Sequence, residues 1–119
     1  MKLLLTSAGI SNKSIKEAFL DLVGKKPGES SVIFVPTAAN VEAGDKGWLI
    51  EDLVNLKGMD FKSVDISDIS AVQESIWRPQ FETADVLFFE GGNEYYLMEW
   101  IEKSGLKPLL PEFLKTKVF

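Results

Sequence analysis

Short apolar runs alternate along this chain with longer stretches in which apolar residues recur every three to four positions. Residues 2–7 (KLLLTS), 31–35 (SVIFV) and 86–89 (VLFF) are runs of strand length closed by turn residues, and 61–66 (FKSVDI) is more alternating. Runs that are apolar throughout fit strands covered on both faces, as in a parallel sheet. After the first run, Ile15, Ala18, Phe19, Leu22 and Val23 form a helical stripe that stops at Gly24 and Pro27. Ser14 and Glu17 have capping-box spacing at its start, with Ser11 and Asn12 as competing caps. Leu49, Ile50, Leu53, Val54 and Leu56 predict a second helix, from near Asp45 to before Gly58. Tyr96, Leu97, Trp100 and Ile101 predict another, ending at Ser104-Gly105. Residues 36–40 (PTAAN) read as a strand exit and 68–84 as a turn plus a short helix containing Pro79. Residues 108–115 read as a final helix, and 117–119 as the start of a further strand.

Strand and helix in regular succession predict an α/β fold of three layers, with a mostly parallel sheet and helices on both faces. Right-handed crossovers then gather the loops at 7–12, 36–45, 66–68 and 90–93 on the carboxyl edge of the sheet, where such folds bind ligands. A length of 119 residues suits a single domain, residues 1–119, and no repeat or linker divides it. Because a strand is only beginning at Phe119, the expectation is a truncated fold, the amino-terminal portion of a larger domain.

Composition narrows the chemistry. A net charge of −5 argues against a nucleic-acid partner, which favours a basic face. No apolar run approaches the roughly 20 residues of a membrane span, and residues 3–5 are too short for a signal peptide. The absence of cysteine excludes disulfide and thiolate chemistry and fits a cytoplasmic location. The absence of histidine removes the commonest general base and metal ligand, so a Ser-His pair is incomplete within these residues. No cofactor is expected.

The segment at 85–97 (DVLFFEGGNEYYL) carries the most chemical information. An apolar strand stops at Gly91-Gly92-Asn93, and a helix follows. Glycines there permit a tight turn and leave amide N–H groups uncovered at a helix start, where an anion or oxyanion is stabilised. A plain strand-to-helix turn without a ligand fits the same residues. Other motifs have structural explanations. Residues 6–12 (TSAGISN) could cradle a phosphate, but their hydroxyls and Asn12 also suit helix capping. Ser104 and Lys107 match a Ser-x-x-Lys pattern, but Gly105 and Pro108 mark a helix stop. Asp65 and Asp68 lack enough further oxygen ligands for a metal and suit turns, and Trp48, Trp77 and Trp100 suit packing or a rim.

Taken in order, KLLLTSAGISNKS, VIFVPTAANVEAGDKGWL, VDISDIS, ADVLFFEGGNEYYL and WIEKSGLKPLLPEFLK resemble the peptidase E family of serine peptidases, which also contains cyanophycinases. The resemblance covers essentially the whole chain and implies a glutamine-amidotransferase-like fold. It implies that the Gly92 backbone N–H, with Gly91 and Asn93 beside it, forms part of an oxyanion hole. It also implies hydrolysis of short peptides with an amino-terminal aspartate, through a serine nucleophile and an acyl-enzyme. Glu90 and Glu94 replace a glycine and a threonine of the family pattern, and a carboxylate beside an oxyanion hole opposes the charge that develops there. By the resemblance, nucleophile and base follow residue 119, so the chain alone is expected to be inactive. Two further expectations stand beside this one: a non-catalytic binding module whose exposed sheet edge pairs into a homo-oligomer, and a flavodoxin-like flavin binder using Ser7 to Asn12.

Overall fold

A computed structural model describes residues 1–119, and its element order follows the hydrophobic pattern. Helix α1 (Lys13–Val23) begins where the Asn12 side chain accepts the Ile15 amide at 2.9 Å, so Asn12 is the cap. It ends at Gly24, whose φ of +68° is a left-handed C-cap conformation. Strand β1 (Ser31–Val35) leads into a four-residue helix, α2 (Thr37–Asn40), and then α3 (Gly47–Lys57). Strand β2 (Ser63–Ile66), helix α4 (Glu74–Thr83), strand β3 (Val86–Phe89) and helix α5 (Glu94–Lys103) follow. A 3-10 turn at Lys107–Leu109 runs into α6 (Leu110–Thr116).

The sheet is parallel with order β2-β1-β3, Val32 standing opposite both Val64 and Val86. Alternation along β1 sends Val32 and Phe34 to one face and Ile33 and Val35 to the other. On the first face they meet Phe19 and Val23 of α1 and Leu49 and Leu56 of α3. On the second they meet Trp77 and Phe81 of α4, Ile101 of α5 and Phe113 of α6. The expected three-layer α/β arrangement is therefore the one formed, with a separate core on each side of the sheet.

Two boundaries differ from the expectations for physical reasons. The run at 2–7 is a single bridge, Lys2 to Val118, rather than a regular strand, and Val118 in turn bridges Val86. Residues 36–40 are not a simple exit: Thr37, Ala38 and Ala39 are buried in α2, held from outside the segment. The Thr37 hydroxyl donates to Asp68 at 2.7 Å, and Asn40 donates to the other Asp68 oxygen at 2.7 Å. Burial alone raises the Asp68 pKa, but hydrogen bonds from Ser70, Asn40 and Thr37 outweigh it and hold the carboxyl below its ordinary value. At the far end, the buried Lys117 ammonium donates to the Glu82 and Ala84 carbonyls at 2.7 and 2.6 Å, tying the end of α4 to the chain after α6.

Candidate active site

The turn after β3 lies where the sheet's carboxyl edge opens. Glu90 N–H continues the ladder by donating to Val35 O at 3.0 Å. Two residues later Gly92 adopts φ +144°, a conformation that L side chains rarely reach, and a Cβ there would collide with the Ala38 carbonyl of α2. Asn93 then does two jobs. Its N–H donates to Ala38 O at 2.9 Å, and its side chain accepts the Tyr96 N–H at 3.0 Å to cap α5. The Gly91 and Gly92 N–H groups make no backbone–backbone hydrogen bond, but the Gly91 amide donates to the Glu90 carboxyl, so of the three predicted residues Gly92 is the one that retains its amide.

These glycines front a cavity of about 750 Å³, within the size range of small-molecule sites. Its walls include Ser7, Ala8 and Gly9 of the first loop, Phe88 and Phe89 of β3, and Trp48, Glu51, Asp52 and Asn55 of α3. The α3 set is not among the residues expected at the site, although its i, i+3, i+4, i+7 spacing puts Trp48, Glu51, Asp52 and Asn55 on one face of a helix. Gly9, at φ +58°, lets the first loop pass against Asp52, whose carboxylate would touch a Cβ at that position.

Electrostatically the cavity is one-signed: Glu42, Glu51, Asp52 and Glu90 line it, with no lysine or arginine. Glu90 is only 5% exposed, and its Oε2 is buried without a hydrogen-bond partner. Burial first, and then the neighbouring Asp52 carboxyl, push the Glu90 pKa up to about 8, partly opposed by the Gly91 amide. Glu90 is thus mostly protonated at neutral pH and does not place a full negative charge beside the turn. Glu94 occupies the first turn of α5, where a carboxylate favours the helix dipole.

The remaining candidates fall elsewhere. Lys107 Nζ pairs with Glu102 at 2.6 Å, and Ser104 caps α5, as the helix-stop explanation requires. Asp68 serves the α2 hydrogen bonds described above, and no group of three or more His, Cys, Asp or Glu side chains is placed to hold a metal. Trp77 is fully buried, whereas Trp48 stands 41% exposed at the cavity rim.

A family model for peptidase family S51 matches residues 3–118. The chain belongs to peptidase family S51. Among solved structures it is similar to a Listeria monocytogenes EGD-e protein described as a peptidase E, with a TM-score of 0.68 and 23% identity. That likeness shows the fold, over 75% of this chain and 44% of the Listeria chain, so the present chain spans less than half of its length. A search of curated proteins finds no match. No helix of this family S51 chain is long and apolar enough to cross a membrane.

Proposed function

We propose that this chain supplies the oxyanion turn and part of the substrate pocket of a serine-type peptidase acting on short peptides, Asp-Xaa dipeptides by family resemblance. The observation that carries this is the Gly91-Gly92 turn: its amides are free of backbone partners, at the carboxyl edge of β3, facing a cavity of about 750 Å³. An uncovered N–H group at such an edge, that of Gly92, is the kind of donor that stabilises the oxyanion of acyl transfer. With no histidine in these 119 residues, the general base of a Ser-His mechanism has to come from outside them.

Residues 1–119 alone should give no turnover of an Asp-Xaa dipeptide. Turnover abolished by a serine-directed inhibitor would overturn the proposal. Joined to the carboxyl-terminal half of a family S51 peptidase, the chain should support hydrolysis. Gly92→Ala keeps the N–H but drives a Cβ against the Ala38 carbonyl and so displaces the donor; it should then cost up to about 10²–10³-fold in kcat, the range for losing one such donor, with near-UV circular dichroism reporting whether the rest of the fold is kept.

A second reading, an interaction module that pairs with another copy, draws on the apolar cavity beside β3, where Leu3 and Leu5 remain exposed. Light scattering tests it: a monomer at all concentrations counts against it. A flavin phosphate at Ser7 to Asn12 is disfavoured by the carboxylates around the cavity and by the use of Asn12 as a helix cap.

A further inference from the structure

We propose that the apolar cavity beside β3 is a strand-docking slot, taking a short apolar segment of a different polypeptide, extended and parallel to β3. The inference uses the sheet edge alone and does not rest on the peptidase reading.

Residues 117–119 set the geometry of the slot. Val118 N–H donates to Asp85 O at 3.0 Å, and Val118 O accepts the Leu87 N–H at 2.9 Å. On the opposite side Phe119 N–H donates to Lys2 O at 2.8 Å, and Leu4 N–H donates to Phe119 O at 2.7 Å. Val118 thus forms parallel bridges to both Val86 and Lys2, so β3 and residues 2–4 already stand one intervening strand apart. Beyond Phe119 the same space is the cavity of about 310 Å³. Strand alternation aims the Leu87 carbonyl and the Phe89 N–H into it, because Leu87 N–H points that way and Glu90 N–H, one residue after Phe89, turns to Val35 of β1. The Leu4 carbonyl faces them from the other wall, on the side to which Leu4 N–H already donates.

These walls select the occupant. Phe19 of α1 and Phe88 close one face of the slot, and Leu97, Ile101 and Leu110 close the other. Thr6 is the one lining residue that is not hydrophobic. A segment seated there has both faces covered, so it must be apolar at successive positions rather than at alternate ones. A lipid tail or another apolar small molecule would leave the ladder groups on the two walls unanswered, whereas an added strand pairs them. A second copy of this chain has no such segment free. Its apolar runs at 31–35 and 86–89 are paired within its own sheet, and residues 2–5 form the wall of its own slot. Its outer strand β2 carries Asp65, a charge that the apolar walls reject.

Residues 1–119 with two synthetic peptides test this. One is acetyl-Val-Ala-Val-Ala-Ser-Gly-amide; the other is the same peptide methylated on its first two amide nitrogens, which keeps the apolar surface but removes a donor toward each wall. By isothermal titration calorimetry the unmodified peptide should bind at least tenfold more tightly, and at saturation it should slow amide hydrogen exchange of Phe89 at least tenfold. Leu5→Glu puts a charge on the slot wall at a position 82% exposed, and should weaken binding at least tenfold. If that variant does not fold, the two peptides on the native chain still decide. Equal affinity for the two peptides means apolar capture without strand pairing and overturns the proposal. Binding without protection of Phe89, or no millimolar binding of either peptide, also overturns it. So does a dimer that excludes the peptide, since a second copy would then fill the slot. None of these outcomes reads turnover, so the peptidase reading stands or falls separately on its own assay.

Discussion

The two edges of β3 are built from the same four residues, yet they have different surroundings. On one edge Val86 to Phe89 pair in continuous register with Val32 to Val35 of β1, and both sheet faces are closed by helices. On the other edge, Leu87 N–H donates to Val118 O at 2.9 Å, and Val86–Val118 is the one bridge. Beyond it lies an apolar cavity of about 310 Å³ between Leu87–Phe89 and residues 3–6. Hydrophobicity therefore specifies that β3 has both faces buried but says nothing of what hydrogen-bonds along each edge. The apolar cavity and the acidic one share Thr6, Phe88 and Phe89, so one strand end divides a packing space from a chemical one.

The largest test of this contrast lies on the laddered edge. Phe34 is fully buried in β1 and stacks on Phe88 with ring centroids 5.3 Å apart. Phe34→Ala should lower unfolding free energy by about 3–5 kcal/mol, measured by urea denaturation. A loss below about 1 kcal/mol would mean that this edge is not the stable one.

Glu90, where β3 gives way to the turn, should produce the next largest effect, and it is set by pH. Its folded pKa of about 8 lies above its ordinary value of 4.5, so the folded state holds a proton that the unfolded chain releases between those values. The stabilisation from this group is complete below about pH 4.5, declines as pH rises, and is gone above about pH 8. Because Glu90 and Asp52 share the titration, the expected swing is on the order of 2–4 kcal/mol. Urea midpoints measured from pH 5 to 8 should fall for the native chain. They should stay nearly flat for Glu90→Gln, and an equal slope in both would remove Glu90 as the cause.

The legible parts of the molecule are those whose signals are local. Strands β1 and β3 show as apolar runs with turn residues after them, and α1 and α5 show as stripes with Asn at their starts. The Gly91-Gly92 turn was visible for the same reason. Helix α2 was not, because Thr37 is held by Asp68, a partner 31 residues away that no local pattern announces. Residues 2–7 look like a strand by composition, but a strand needs partners along its edges, and only Lys2 forms a bridge. The site divides in the same way. Glu90 stood out beside the glycines, whereas its pairing with Asp52 depends on how α3 crosses the sheet edge. The polar stripe from Trp48 to Asn55 was readable as a helix face, but not as the wall of a cavity.

The smallest expected effect is on the open edge. Leu5 lines the apolar cavity yet remains 82% exposed, so little of its surface leaves water on folding. Hydrophobic stabilisation scales with the area removed from water, and a substitution at so exposed a position should change stability by no more than about 0.5 kcal/mol. Leu5→Ser, followed by urea denaturation beside Phe34→Ala, checks this directly. A loss above about 1.5 kcal/mol would mean that residues 2–7 pack in solution as a full strand. The two edges of β3 would then be equivalent, and the contrast between them would fail.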